Sequence, residues 1–175
     1  MRAFVALCLP ETFGDECAYL ARQLEERVRG RVLDPSTHHV TLAFLGDVDE
    51  ADTRRAMDAL DATCQGRDPI RLVCEGLGSF GRGQDRTLYL ALARDPWLTR
   101  LAQDLRAELD SRGLDFDRKA FVPHVTLARR AQLPRDLGDL AFPAPDMATR
   151  VALVRSLLSP EGAHYKELYA VELRG

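Results

Sequence analysis

The pentapeptide His-Val-Thr-Leu-Ala occurs twice in this chain, at residues 39–43 and again at residues 124–128. The chain has four histidines, so half of them begin a copy of this repeat. Side chains two residues apart in an extended strand lie on the same face. Each copy therefore predicts a strand with a histidine and a threonine, about 7 Å apart, on one face. One copy in each half of the chain predicts two similar lobes.

The rest of each repeat divides between a polar face and a core face under the same alternation. We expect small alanines to complete the polar faces and branched or aromatic residues to complete the core faces. The polar faces then contain His39, Thr41 and Ala43 in the first copy and His124, Thr126 and Ala128 in the second. The core faces contain Val40, Leu42 and Phe44 in the first copy and Val125 and Leu127 in the second.

Hydrophobic spacing predicts three helices. The first runs from Phe13 to Val28 and is ended by Gly30, the second is centred on residues 57–64, and the third has Asp95 as its N-cap. Strands are predicted at residues 2–9, 70–77, 87–93, 150–158 and 166–173, besides the two repeats. A glycine-rich loop is expected at residues 78–86, and an irregular connector at residues 132–146.

Helices and strands are intermixed here without the regular alternation of a doubly wound sheet. This order favours an α+β fold with mostly antiparallel sheets. We expect two pseudo-symmetric lobes with outer helices and an active-site cleft between them, in a single bilobal domain of residues 1–175.

Composition places the chain in a broad class. A net charge of −3 argues against a general nucleic-acid coat, although 24 basic residues still permit a local basic groove. The four cysteines form no C-x-x-C pair, which is typical of reduced thiols in a cytoplasmic protein. The opening RAFVALCLP resembles a short signal peptide, but a first strand ended by Pro10 is the interpretation that we adopt. No segment has the roughly 18 apolar residues of a membrane span.

Two imidazoles on facing strands can act as a general acid and a general base near neutral pH. A simpler alternative is that each histidine is satisfied by a backbone carbonyl. A metal site is a further alternative, but it needs a third protein ligand, and neither strand supplies one on the histidine face. We therefore expect no metal and no cofactor. The remaining histidines, His38 and His164, are expected to lie on the surface or behind the site.

Two H-x-T-x motifs with these flanking residues resemble the 2H phosphoesterase superfamily, and within it the RNA 2′,3′-cyclic phosphodiesterases, also called 2′-5′ RNA ligases. The likeness covers RAFVALCLP, HVTLAFLGDV, GSFGRGQDRTLYLAL, FVPHVTLAR and the closing SLLSPEGAHYKELYAVEL. The resemblance implies a bilobal fold and metal-free hydrolysis of an RNA 2′,3′-cyclic phosphate to a 2′-phosphate. It implies that His39 donates a proton, that His124 accepts one, and that Thr41 and Thr126 bind the phosphate.

Two assignments stay open at this stage. A basic residue after the second motif belongs to the family pattern: the motif position favours Arg129, whereas strand alternation puts Arg130 on the histidine face. Phe80, in the predicted loop, is expected to stack on a terminal base, with Arg82 and Arg86 on phosphates. A solvated connector is the alternative for this loop.

The expected partner is RNA with 2′,3′-cyclic phosphate ends, tRNA fragments among them, and the expected oligomeric state is a monomer. Ligation of RNA ends by the reverse reaction is one alternative function, since the same groups catalyse both directions. A non-catalytic nucleotide- or RNA-binding module that uses the same cleft is the other.

Overall fold

The computed structural model describes residues 1–175. Its helices are α1 (Glu11–Glu25), α2 (Glu50–Cys64) and α3 (Pro96–Ser111), with a short 3-10 helix at Pro35–Thr37. The strands are β1 (Arg2–Leu7), β2 (Arg29–Val32), β3 (Val40–Asp47), β4 (Ile70–Leu72), β5 (Cys74–Arg82), β6 (Asp85–Leu92), β7 (His124–Gln132), β8 (Asp146–Ala148), β9 (Arg150–Ser159) and β10 (Gly162–Glu172). None of the three helices has the length and apolar character that crossing a membrane requires.

Two four-stranded antiparallel sheets carry the two repeats. The first sheet has the order β10-β9-β1-β3 and the second β2-β7-β6-β5, and β4 and β8 form a small separate pair. In each sheet the strand with the repeat pairs with an earlier strand that is followed in the chain by a helix. Strand β3 pairs with β1, which precedes α1, and β7 pairs with β6, which precedes α3. This correspondence confirms the α+β fold with two pseudo-symmetric lobes.

The main hydrophobic core draws on both sheets and on all three helices. The predicted helical stripe of α1 is buried in it through Phe13, Cys17, Leu20 and Leu24. The opposite face of the first sheet has a second, smaller apolar cluster of Phe4, Ala6, Ala152 and Val154. Both faces of this sheet thus have buried apolar residues near its centre. The opening residues form the expected first strand, β1, and the strand order places it inside the sheet.

The end of the first helix was predicted wrongly. Helix α1 stops at Glu25, and Gly30 belongs to the edge strand β2, which the sequence did not predict because Val32 is its only apolar side chain. Gly30 has a φ of +135°, and a Cβ there would lie 2.6 Å from the carbonyl oxygen of Arg130. The glycine is needed for the close approach of β2 to β7 and does not end a helix.

The expected loop at residues 78–86 is also wrong. Strand β5 continues to Arg82 and β6 begins at Asp85, so only Gly83 and Gln84 form the turn. A Cβ on Gly78 would overlap with the ring of Tyr89 on the paired strand. Glycine at this position provides room for an aromatic ring, and the sequence pattern alone does not distinguish that use from a flexible loop.

Other boundaries follow the predictions more closely. Asp95 caps α3 by accepting hydrogen bonds from the backbone N–H groups of Trp97 and Leu98, as the sequence indicated. The predicted strand at residues 70–77 is divided between β4 and β5, and the closing hairpin turns at residues 160–161.

Candidate active site

The two repeat histidines are held by the same backbone hydrogen bond. Nδ1 of His39 lies 2.6 Å from the carbonyl oxygen of Thr37, and Nδ1 of His124 lies 2.6 Å from the carbonyl oxygen of Val122. A carbonyl oxygen can only accept, so Nδ1 carries the hydrogen in both rings. In each ring Nε2 is then the atom left for proton transfer.

The two Nε2 atoms differ in their partners. Nε2 of His39 lies 2.7 Å from Oγ1 of Thr41, and in the neutral ring it accepts the hydroxyl hydrogen. Nε2 of His124 makes no hydrogen bond to the corresponding Thr126 or to any other protein group. In identical pentapeptides, Nε2 of His39 is therefore hydrogen-bonded to a threonine of its own repeat, whereas Nε2 of His124 has no protein partner.

A β-bulge follows the threonine of each repeat. In both strands the leucine of the repeat is the extra residue of the bulge, with no paired residue on the neighbouring strand. The register pairs Thr41 with Ala6 and Ala43 with Val5 in the first copy, and Thr126 with Tyr89 and Ala128 with Leu88 in the second. The bulge reverses the alternation, so the fifth residue enters the core and the sixth turns toward the cleft.

This reversal corrects three predictions. Ala43 and Ala128 are fully buried in the core, not on the polar face. Phe44, expected in the core, is 36% exposed and lines the cleft. Arg129 lines the cleft too, whereas Arg130 takes a left-handed conformation (φ +50°), is exposed and lines neither cavity described below. Strand alternation, which favoured Arg130, was misled by the bulge.

The space between the two repeats is called here the histidine cleft. It has a volume of about 340 Å³ and is lined by Thr41, Phe44, Phe80, His124, Thr126 and Arg129, among others. His39 reaches it through its hydrogen bond to Thr41. The structure thus brings His39, Thr41, Phe80, His124, Thr126 and Arg129 together, and it leaves Arg130, Arg82 and Arg86 outside the cleft lining.

Aromatic rings surround both imidazoles, and Phe80 is the one among them that the sequence predicted at the site. The ring of His39 stacks on Phe4, with a centroid distance of 4.7 Å, and meets the edge of Tyr165 at 5.5 Å. His124 meets Phe80 and Tyr89, each at 5.2 Å, in edge-on geometry. Tyr89 alternates with buried leucines along β6, so its place on the cleft side was readable from the sequence. Tyr165 comes from a strand remote in sequence, and no local pattern indicates it.

Phe80 lies on β5, not in a loop. Its ring is 39% exposed and stacks on Tyr89 with a centroid distance of 4.4 Å. One part of this ring therefore supports the wall behind His124, and the exposed part remains available to a ligand. Arg82 and Arg86 do not line the histidine cleft, and Arg86 donates a hydrogen bond to the carbonyl oxygen of Gly83 in its own hairpin.

Burial and positive charge both favour neutral imidazoles in the free protein. Burial is the main cause that lowers the pKa of His39 to about 4; the hydrogen bond to Thr37 opposes this, while His124 and Arg129 add to it. Burial also lowers the pKa of His124, and the charge of Arg129 acts in the same direction. A bound anion would act in the opposite direction to the charge of Arg129 and would raise the pKa of both histidines.

The other two histidines are not part of this cleft. His164 is exposed on β10, as expected. His38 was expected on the surface or behind the site; it is buried, and neither of its ring nitrogens has a hydrogen-bond partner. No group of three or more His, Cys, Asp or Glu side chains is arranged to hold a metal ion. The expected independence from metal remains a prediction for experiment.

Comparison with known proteins decides the family. A profile of the 2′-5′ RNA ligase superfamily matches residues 15–157, which is most of the chain. The chain belongs to the 2′-5′ RNA ligase superfamily. This result confirms the resemblance inferred from the paired H-x-T-x motifs.

Individual members of the superfamily match over nearly the full length. The RNA 2′,3′-cyclic phosphodiesterase of Thermotoga maritima is 30% identical, with 100% of this chain and 97% of that protein aligned. The protein of the same name from Thermus thermophilus is 33% identical, with 100% of this chain and 91% of that protein aligned.

Solved structures agree with the fold. A crystal structure of a Thermus thermophilus protein superposes with a TM-score of 0.85 at 30% identity, covering 100% of this chain and 99% of that one. E. coli LigT in its apo form superposes with a TM-score of 0.80 at 26% identity, covering 99% and 98%.

Proposed function

We propose that this protein is an RNA 2′,3′-cyclic phosphodiesterase that opens a terminal cyclic phosphate to a 2′-phosphomonoester. The relatives of that name, which align over nearly the whole chain, support this reaction class. The observation that carries the proposal is the common tether of the two imidazoles: each has Nδ1–H on a backbone carbonyl, so Nε2 is the atom left for proton transfer in both rings. We further propose that residues 1–175 act as a single bilobal domain.

His124 is the proposed general base. Its Nε2 carries no hydrogen in the tautomer that the Val122 carbonyl imposes, and no protein group occupies it. A water molecule beside this atom can lose a proton to it while the water oxygen attacks phosphorus. The lowered pKa of His124 keeps the ring neutral, and thus able to accept the proton, at neutral pH.

His39 is the proposed general acid. The bond between phosphorus and O3′ breaks in line with the attacking water, and O3′ leaves with a proton from Nε2 of His39. Since its pKa in the free protein is about 4, the negative charge of the bound phosphate is needed to load this proton. The product has a 2′-phosphate and a 3′-hydroxyl, and one proton has moved from water to the leaving oxygen.

The remaining cleft residues bind the phosphoryl oxygens in this proposal. Thr126 supplies a hydroxyl donor, and so does Thr41 once His39 is protonated and no longer accepts its hydrogen; Arg129 supplies a guanidinium whose charge already acts on both imidazoles. Donors placed in advance around a developing negative charge are usually a large part of catalysis. Phe80 is proposed to stack on a base with its exposed part. No step in this scheme calls on a metal or a cofactor.

The proposed substrate is RNA with 2′,3′-cyclic phosphate ends, tRNA fragments among them, and the proposed working form is a cytoplasmic monomer. All four cysteines are free thiols, which suits a reducing compartment.

The test is incubation with an RNA that ends in a 2′,3′-cyclic phosphate, followed by mapping of the product phosphate. We expect a 2′-phosphate. A 3′-phosphate would contradict the in-line geometry with His39 as acid. Joined RNA ends would show the reverse, ligase reaction. Binding of the RNA without turnover would support the alternative function of a non-catalytic nucleotide-binding module.

A further inference from the structure

A second opening adjoins the histidine cleft and is called here the arginine groove. It has a volume of about 650 Å³ and is lined on one side by strands of the first sheet and on the other by β2. It shares Phe44 and Arg129 with the histidine cleft, and Tyr165, which touches His39, also lines it. A ligand in the histidine cleft can therefore continue directly into this groove.

Three guanidinium groups face the groove: Arg2, Arg31 and Arg129. None of them forms a salt bridge, although the carboxylates of Glu25, Asp34 and Glu161 also line the groove. The carboxylate of Asp34 already accepts a hydrogen bond from the backbone of Ser36. Arg2 lies over the ring of Phe44, 5.7 Å from its centroid, which combines a cation and an aromatic surface.

The position of Arg31 is built into the fold. Its side chain crosses from β2 in the second sheet to the β9–β10 turn of the first, where it donates a 2.7 Å hydrogen bond to the carbonyl oxygen of Glu161. The next residue is Gly162, and a Cβ there would overlap with the Arg31 guanidinium. This bond uses one of five guanidinium N–H donors, so the others remain for a ligand.

The direction of the reaction shows which part of a substrate meets this groove. In the proposed mechanism the acid, His39, stands on the leaving-group side, so the ribose that carries O3′ lies on that side too. Two cavities lie there: one is lined by His39 itself, and the arginine groove is lined by Tyr165, whose ring meets His39. The one lined by Asp15, Glu167 and His38 contains no lysine or arginine, whereas the arginine groove contains three guanidiniums. Since phosphates are bound by arginine and lysine, the phosphates of a polynucleotide are expected in the arginine groove.

We propose that the arginine groove holds the nucleotides 5′ of the reacting terminus, with Arg2 and Arg31 on their phosphates. This inference rests on the proposed function, and it makes the enzyme selective for an RNA chain over a mononucleotide cyclic phosphate.

Two substrates with the same terminal nucleotide test it: a mononucleotide 2′,3′-cyclic phosphate and a pentaribonucleotide with the same cyclic end. The wild-type protein should have the higher kcat/KM on the pentamer. Arg2→Ala combined with Arg31→Gln should lower kcat/KM on the pentamer by roughly tenfold, through KM, and change the mononucleotide less than about twofold. Gln at 31 removes the charge and keeps a side-chain N–H donor, and the thermal unfolding midpoint of the variant reports whether the link between the sheets is retained.

Salt dependence gives an independent readout. Each phosphate contact on a single strand contributes about 0.7 to the slope of log K against log salt, so the double variant should lose about 1.4 for the pentamer. The matched control is Arg71→Ala with Arg100→Gln, which removes the same charge from the cavity between α3 and β4, away from both histidines. This control should leave both substrates and the slope unchanged.

Equal losses on both substrates, or the same loss in the control, would overturn the proposal. Loss from Arg82→Ala with Arg86→Ala instead would transfer the contacts to the β5–β6 hairpin. Affinity for a pentamer ending in a 2′-phosphate, measured by fluorescence anisotropy, separates this inference from the proposed function. If the protein shows no turnover but its affinity for the pentamer still depends on Arg2 and Arg31, the proposed phosphodiesterase activity is refuted and the proposed role of the arginine groove in RNA binding is supported.

Discussion

The two copies of His-Val-Thr-Leu-Ala are identical in sequence and differ in chemistry. His39 is stacked on Phe4 and hydrogen-bonded at both ring nitrogens, whereas His124 is bonded only through Nδ1 and meets its aromatic neighbours edge-on. The sixth position differs as well, with Phe44 after the first copy and Arg129 after the second. The backbone tether is a property of the repeat, and the assignment of acid and base comes from what surrounds each copy.

The largest effect should come from removing either imidazole. His39→Ala and His124→Ala should each lower turnover of a cyclic-phosphate RNA by at least about 10²-fold, because each removes one of the two proton transfers. Neither ring belongs to the hydrophobic core, so the thermal unfolding midpoint should change little. Near-normal turnover in either variant would end the paired acid–base mechanism.

The residue after each repeat provides the next test. Arg129→Ala should lower kcat roughly 10- to 100-fold, since it removes a charged donor from the phosphoryl oxygens. Arg130→Ala is the matched control, one residue away and outside the cleft, and should have wild-type kinetics. A larger loss in Arg130→Ala would mean that the bulge in β7 does not place Arg129 as described.

The pH dependence should distinguish the two copies. In the free protein His39 must be protonated, and its pKa of about 4 means that this form is lost as the pH rises. His124 must be neutral, and its lowered pKa means that this form is lost only at a pH below about 6.5. The maximum of kcat/KM should therefore lie below about pH 6.5, and that of kcat at higher pH, because bound phosphate raises both pKa values. Coincident maxima for the two parameters would show that substrate charge does not load His39.

Phe80 tests whether the His124 side also binds a base. Phe80→Ala should raise KM for RNA about tenfold with little change in kcat, since a stacked base is worth roughly 1–3 kcal/mol. Phe80→Leu, which keeps an apolar wall beside His124 without a π-face, is the control for packing. A fall in kcat with unchanged KM would instead show that the ring acts on His124.

The smallest expected effect is that of chelation. Exhaustive treatment with a chelator should leave the turnover rate unchanged, because the site is proposed to work through imidazole, hydroxyl and guanidinium groups alone. Activity that is lost to the chelator and restored by zinc or manganese would replace the acid–base mechanism with a metal-assisted one.

The sequence by itself indicated the fold class, predicted the four residues of the paired motifs as the site and, through the resemblance of those motifs to known members, indicated the family. These depend on local information: strand alternation, helix spacing and a repeat of chemically distinctive residues. The N-cap Asp95 and the first strand, β1, were predicted for the same reason. Alternation along a strand needs no knowledge of the neighbouring strand as long as the strand is regular.

Only the tertiary structure decided the rest, because it depends on partners remote in sequence. The bulges in β3 and β7 arise from register against β1 and β6, and they exchanged the places of Ala128 and Arg129 relative to simple alternation. Gly78 accommodates the ring of Tyr89, and Arg31 reaches a turn 130 residues away. A linear pattern shows which side chains are present, and packing between strands decides which of them share a cleft.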